Sequence, residues 1–232
     1  MTEVRPEEIL RRIVPPFDAD AQIKRAMSSC FYQDGVDLLE LVLQGDRSTR
    51  AHRSYQAKLF VNLRMAIECF LKSMIISLSD QSETPEQAYN CAKKSGHDLV
   101  TLLNKVRDRT KGKTPLIRKS TKLLVRDLDR LGVGLRYKAD VTAALLAESF
   151  YESVSMTGQF SSTVGSIDWL RKVLEHSRYL SEKTLKIHSS RFSRHKAMLG
   201  TDRGPYENRL IAFMKATKIR WAKRRPPDQG PV

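Results

Sequence analysis

The stretch Leu59-Phe60-Val61-Asn62-Leu63-Arg64-Met65-Ala66-Ile67-Glu68-Cys69-Phe70-Leu71-Lys72-Ser73-Met74-Ile75-Ile76-Ser77-Leu78 decides the fold. Leu59, Leu63, Ala66, Ile67, Phe70, Met74 and Leu78 recur at three- and four-residue steps, and Phe60, Leu71 and Ile75 form a second row beside them. Apolar surface therefore covers most of the helix that this spacing predicts, and a helix so apolar is a buried one. The strip left over carries Arg64, Glu68 and Lys72 at successive four-residue steps, the spacing for ion pairing along one side of a helix.

Around this stretch lies a chain of 232 residues, 41% hydrophobic, which is enough to fill one core. No window has the uninterrupted apolar length of a transmembrane helix, and the charged opening residues predict no secretion signal. Cys30, Cys69 and Cys91 are widely spaced, so neither a disulfide framework nor a zinc site is expected, and the expected location is cytoplasmic. No metal or other cofactor is expected, because no Gly-rich phosphate loop and no Cys/His cluster of metal spacing occurs. The net charge of +15 is unevenly placed: residues 171–225 hold 16 Lys+Arg against 4 Asp+Glu. A basic last quarter is the footprint of contact with phosphate backbones, and would also attract anionic lipid or an acidic protein.

The remaining punctuation predicts helices throughout. Residues 5–14 form a short amphipathic segment ended by Pro15-Pro16. Asp18 caps a helix over about 19–32, Gly35 reads as a break, and a further turn or two ends near Gly45. Thr84-Pro85-Glu86-Gln87 starts a short helix that closes at Gly96, and His97-Asp98 opens the next, with Leu99, Leu102, Leu103 and Val106 on one face. A helix containing Leu116, Ile117, Leu123, Leu124, Leu128 and Leu131 follows a loop at 111–115, and Gly132 and Gly134 break it. Residues 142–156 read as helix again. Ser166 or Asp168 caps a helix running to about 199, and Gly200–Pro205 separates a last helix from Tyr206 to about Arg224. With no strand alternation anywhere, the class is all-α.

Three short strings in this order resemble the HEPN family, named for a nucleotide-binding domain of higher eukaryotes and prokaryotes. They are Ala66-x-Glu68-x-x-x-Lys72 on the long helix, Gly96-His97-Asp98-Leu99-x-x-Leu102-Leu103, and Leu135-Arg136-Tyr137. The resemblance covers roughly residues 20–185. It implies an antiparallel helical bundle over 17–199; outside it the residues themselves predict an N-terminal helix over 1–16, a basic amphipathic helix over 200–225 and a disordered tail over 226–232. The resemblance also implies a homodimer that acts as a metal-independent ribonuclease of toxin–antitoxin or antiphage systems, or as a silent partner of a nucleotidyltransferase-like protein.

The family's nuclease signature is an Arg followed after four to six residues by a His, with His moving a proton and Arg holding the phosphate. Arg136 is followed by no such histidine. Arg171/His176 and Arg47/His52 both have the spacing, and Arg171/His176 is the better candidate because it lies on a strongly predicted helix beside the basic quarter. The alternative is that both are solvated helix charges. Glu68 and Lys72 are either a buried ion pair or, with Arg64 and Arg136, the lining of a nucleotide pocket. His97 reads as a structural residue at a helix start, its ring meeting backbone groups or Asp98. Candidate nucleic-acid contacts are Arg191, Arg194, Lys196, Arg209, Lys215, Lys218, Lys223, Arg224 and Arg225. The last helix, with Tyr206, Leu210, Phe213, Met214 and Trp221 on one side, either packs on the bundle or lies on RNA, lipid or a partner. Two functions stand: a HEPN-type ribonuclease using Arg171 and His176 from two chains, and a catalytically silent module that binds nucleic acid or a nucleotidyltransferase-like protein.

Overall fold

The computed structural model describes residues 17–44, 53–110, 116–131, 163–193 and 203–218, and all seven elements among them are α-helices. In chain order they are α1 (Ala19–Gln44), α2 (Arg53–Ser77), α3 (Pro85–Lys93), α4 (Leu99–Arg109), α5 (Lys119–Arg130), α6 (Ile167–Phe192) and α7 (Arg203–Thr217). The decisive stretch is α2, and α1, α3, α4 and α6 all pack on it. That enclosure explains its composition: Phe60, Leu63, Ile67, Phe70, Leu71, Met74 and Ile75 are fully buried along one broad face, and Ala66, Ser73 and Ile76 are buried on the other sides of the same helix. At roughly 1.5–3 kcal/mol for each such side chain taken out of water, this rod is the main apolar reservoir of the bundle.

α1 is one unbroken helix, which corrects the expected break at Gly35. A Cβ at Gly35 would stand 2.6 Å from the Phe70 ring, so the glycine is there to let α1 approach α2 rather than to end a helix. Nearby, small polar residues hold the helices together. Ser28 Oγ lies 2.9 Å from Ser73 Oγ and 2.6 Å from Ser77 Oγ, Ser73 Oγ donates to the Ser28 carbonyl at 2.8 Å, and His188 Nδ1 of α6 is 3.1 Å from Ser28 Oγ. This seam joins α1, α2 and α6, and its hydroxyls satisfy one another out of reach of water. On α6, buried Ser177 and Thr184 turn their hydroxyls back onto the carbonyls of Val173 and Leu180 at 2.8 and 2.7 Å.

The helix starts follow their capping residues. Thr84 and Gln87 form a reciprocal capping box, Asp98 accepts from the Thr101 amide, and Ser166, rather than Asp168, accepts from the Trp169 amide. Gly96 takes φ +55°, the left-handed turn that closes the segment after α3. Other boundaries move. Leu116 and Ile117 precede α5, and Leu123 on it faces solvent, because its buried side is Thr121, Leu124, Val125 and Leu128. α6 ends at Phe192 rather than near 199. α7 begins at Arg203, with Gly204 and Pro205 in its first turn, where the amide that proline lacks has no intrahelical partner in any case. It ends at Thr217, and Lys218 at φ +56° closes it in the left-handed conformation, short of the expected Arg224. The segment at 5–14, the helix expected at 142–156 and the tail at 226–232 lie outside the described residues, as do Arg136 and Tyr137.

Gly35→Ala carries the test of the α1–α2 approach. Mid-helix, alanine in place of glycine is ordinarily worth about 0.5–1 kcal/mol in favour of folding. Here the clash with Phe70 should reverse the sign and cost about 1–2 kcal/mol net, read as a lower urea midpoint. A raised midpoint would contradict the packing.

Candidate functional site

Two of the three motif strings meet in space. Glu68 and Lys72 form a buried pair on α2, with Lys72 Nζ donating to Glu68 Oε1 at 2.6 Å. The second Glu68 oxygen, Oε2, lies 2.9 Å from Nδ1 of His97. A carboxylate only accepts, so His97 presents Nδ1–H to it, and the ring meets Glu68 rather than the backbone groups or Asp98 expected of it. Arg64, one turn before Glu68, donates from Nη2 to the His97 carbonyl at 2.8 Å and stands 3.6 Å from Asp129 Oδ1. That same Asp129 oxygen accepts from the Leu99 amide at 2.8 Å, while Asp98 takes the Thr101 amide and hydroxyl at 2.7 and 2.8 Å. Those Thr101 bonds hold the Asp98 carboxyl below its ordinary range. The polar strip of α2 thus clamps the turn between α3 and α4 and reaches α5 through Asp129. Beside it, burial first and Glu68 second push the Cys69 thiol up to about 12, which leaves it protonated and unreactive at neutral pH.

Arg171 and His176 are held apart within one chain. Five residues along a helix turn the side chain by about 140°, and the two find different partners. Arg171 is exposed and pairs with Asp168 at 2.9 Å. His176 faces α5: its Nδ1 is 2.8 Å from Thr121 Oγ1 and 3.4 Å from Arg118 Nη2. Arg118 Nε also donates to Thr121 Oγ1 at 3.2 Å, and since a guanidinium only donates, its Nη2 contact makes His176 Nδ1 an acceptor, so the Thr121 hydroxyl turns its proton to the imidazole. The chain Arg118 Nε–H to Thr121 O–H to His176 Nδ1 therefore selects the tautomer that carries its proton on Nε2. Burial first, and the Arg118 charge second, lower the His176 pKa, so the ring is neutral at neutral pH. Arg118 stands over Tyr179, with its Cζ 4.1 Å from the ring centroid, and its backbone amide donates to Tyr179 Oη at 3.3 Å. Tyr179 Oη in turn donates to the Leu116 carbonyl at 3.3 Å.

The expected nucleic-acid residues divide. Arg191, Lys215 and Lys218 are exposed on α6 and at α7, while Arg194, Lys196, Lys223, Arg224 and Arg225 lie outside the described residues, as do Arg47 and His52. Arg209 turns inward. Its guanidinium takes both oxygens of Glu86 on α3, the Nη2 to Oε2 bond measuring 2.8 Å, and its Nε donates to Asp20 Oδ1 of α1 at 2.5 Å. With Phe213 edge-on to Tyr89 at 5.7 Å and Tyr206 edge-on to Phe17 at 6.5 Å, this arginine docks α7 on α1 and α3. Of the two readings of the last helix, α7 packs on the bundle. Among the described residues no three His, Cys, Asp or Glu side chains gather closely enough to hold a metal ion. None of the described helices is long and apolar enough to cross a membrane.

Arg118, Thr121, Tyr179 and Asp129 carry no mark in the sequence that sets them apart. The α5–α6 contacts span 55 to 63 positions, so no local spacing reveals them. The one hint is Arg118-Lys119 at a helix start with no acidic residue in its first turn, a place where cations oppose the helix dipole.

The α7 clasp has a pH signature. Arg209 holds the Glu86 carboxyl down to about 2, so the folded-state pKa is depressed. Its contribution is complete above the ordinary carboxylate range and is lost as pH falls through about 2. Arg209→Met should therefore cost about 1–2 kcal/mol at pH 7 and speed hydrogen exchange across α7, with the stability gap to the unsubstituted protein narrowing below about pH 4.5. A gap independent of pH would contradict the clasp. No protein-family model matches the chain, and neither a curated protein nor a solved structure matches it, so geometry and charge speak to function here.

Proposed function

We propose that this chain is a HEPN-like, nucleic-acid-binding helical module whose contact surface lies where α5 meets α6. The supporting observation is a cationic patch around His176 and Tyr179. Lys172 stands one turn before His176 and Lys183 one turn after Tyr179, on the same side of α6. Arg118 covers the ring between them. Among the described residues no carboxylate forms an ion pair with Arg118, Lys172 or Lys183, whereas Arg171 and Arg109 are each matched by one and Arg209 by two. Charges left unmatched by the protein are free to meet phosphates, and the counterions they shed on binding make the affinity salt-dependent.

Cleavage is the sharper form of the same reading, and His176 would carry it. A general base must offer a bare ring nitrogen, and in the tautomer set by Thr121 the outward Nε2 is already protonated. Binding therefore stands ahead of catalysis. A composite nuclease site would also need a dimer to bring Arg171 of one chain to His176 of another, and sedimentation as a monomer at working concentration would remove it.

Fluorescence anisotropy with the full chain and a labelled RNA strand tests the proposal. Lys172→Glu with Lys183→Glu should weaken binding about tenfold or more near 0.1 M salt and flatten the plot of log affinity against log salt by roughly 0.7 for each phosphate no longer neutralised. His176→Ala should weaken RNA binding by about fivefold, less than the double lysine variant does, and abolish any RNA cleavage that the unsubstituted protein shows. Failure of the full chain to bind RNA or DNA at low salt would overturn the proposal.

A further inference from the structure

Arg118 is unusual among the cations of this surface because its plane is fixed. The guanidinium rests on Tyr179 at 4.1 Å, its Nε is bonded to Thr121 at 3.2 Å, its Nη2 lies 3.4 Å from His176 Nδ1, and its own backbone amide is tied to Tyr179 Oη at 3.3 Å. The tyrosine covers one side of the guanidinium, and the residue as a whole is exposed. Arginine normally surrenders much side-chain freedom when it binds; here that loss has already been taken in folding. A flat cation held this way is a stacking surface for a nucleobase, and a base inside a duplex offers no free face to it.

The neighbours fit the rest of a nucleotide strand. Lys172 and Lys183 flank the platform along α6, separated by 11 residues and hence by about 16 Å of helix, which places a cation on either side of a stacked base. His176 Nε2–H points away from Thr121 and supplies a neutral donor at the edge of the platform. A ribose 2′-oxygen is the acceptor that RNA has there and DNA lacks. Resting on the nucleic-acid reading above, we infer that the Arg118–Tyr179 stack is the base-binding platform of a single-stranded RNA site, with Lys172 and Lys183 taking the flanking phosphates and His176 the 2′-hydroxyl. The site selects strand state and sugar, and it asks for no particular base.

The test uses the full chain with labelled RNA of about twelve nucleotides, its duplex with the complement, and DNA of the same sequence. Single-stranded RNA should bind at least about fivefold tighter than either the duplex or the DNA strand. Arg118→Lys keeps the charge and loses the plane, so it should weaken RNA binding about five- to tenfold with an unchanged salt slope, in a protein that stays folded with only a small drop in melting temperature. Arg118→Lys binding like the unsubstituted protein overturns the platform, as does a duplex bound equally well; DNA bound as tightly as RNA overturns the role of His176. RNA carrying 5-iodouracil, crosslinked to the unsubstituted protein, gives a readout that no folding defect can blur. Crosslinks should map to residues 116–131 and 167–183, and crosslinks confined to α7 overturn the inference. If no nucleic acid binds at all, the functional reading falls with it, whereas binding that ignores Arg118 leaves that reading standing and removes only the platform.

Discussion

The ammonium of Lys72 sits inside a helix walled by apolar side chains, and it needs a carboxylate. Removing an ion from water costs several kcal/mol even after relaxation, as much as two or three buried side chains of the Phe60 or Leu71 kind contribute. Glu68 is the residue that offsets this, one turn away and 2.6 Å from the ammonium. Its second oxygen holds His97, which fixes the turn between α3 and α4, and Arg64 grips the carbonyl of the same histidine. Glu68 thereby couples the most apolar helix to the α3–α4 joint, and a helix that is apolar nearly all round gains one rotational setting among its four neighbours.

What the sequence made legible was local in character. The apolar rows of α2, the Thr84 capping box and the Asp98 cap each depend on residues within a turn or two, and all three stand in the structure. The four-residue steps of Arg64, Glu68 and Lys72 also announced a polar strip, though not that His97, 29 positions away, would complete it. Gly35 shows the limit most plainly. A glycine in a run of helix formers reads as punctuation, and only the ring of Phe70 across the interface reveals it as a place of close approach. The same limit hid Arg118, whose partners His176 and Tyr179 come from a helix 58 and 61 positions later. Arg209 is the converse case: its neighbours in sequence suggested a polyanion contact, and its neighbours in space are Glu86 and Asp20.

This rearranges where the positive charge does its work. In the described part of the last quarter, α7 uses its central arginine for docking, and Arg171 is balanced by Asp168. Among the described residues Arg191, Lys215 and Lys218 remain exposed without a carboxylate partner, and Arg118, Lys172 and Lys183 form a further such group beside the start of α5, which is anchored to α4 through Asp129 and to α6 through Thr121 and Tyr179. The route from core to surface is continuous: α2 sets α4, α4 sets α5, and α5 presents Arg118 on the ring of Tyr179. Displacing α5 by an ångström would break both bonds to His176 while the apolar side chains still touched, since hydrogen bonds fade over distances that packing tolerates.

A double-mutant cycle on Glu68→Gln and Lys72→Met measures the interaction on which the arrangement depends. Each single substitution should cost about 3–5 kcal/mol, because each strands a buried charge or the carboxyl partner it leaves behind, while the pair together should recover at least about 2 kcal/mol of the summed loss. Additivity to within about 0.5 kcal/mol would contradict the claim that these two residues hold α2 in place.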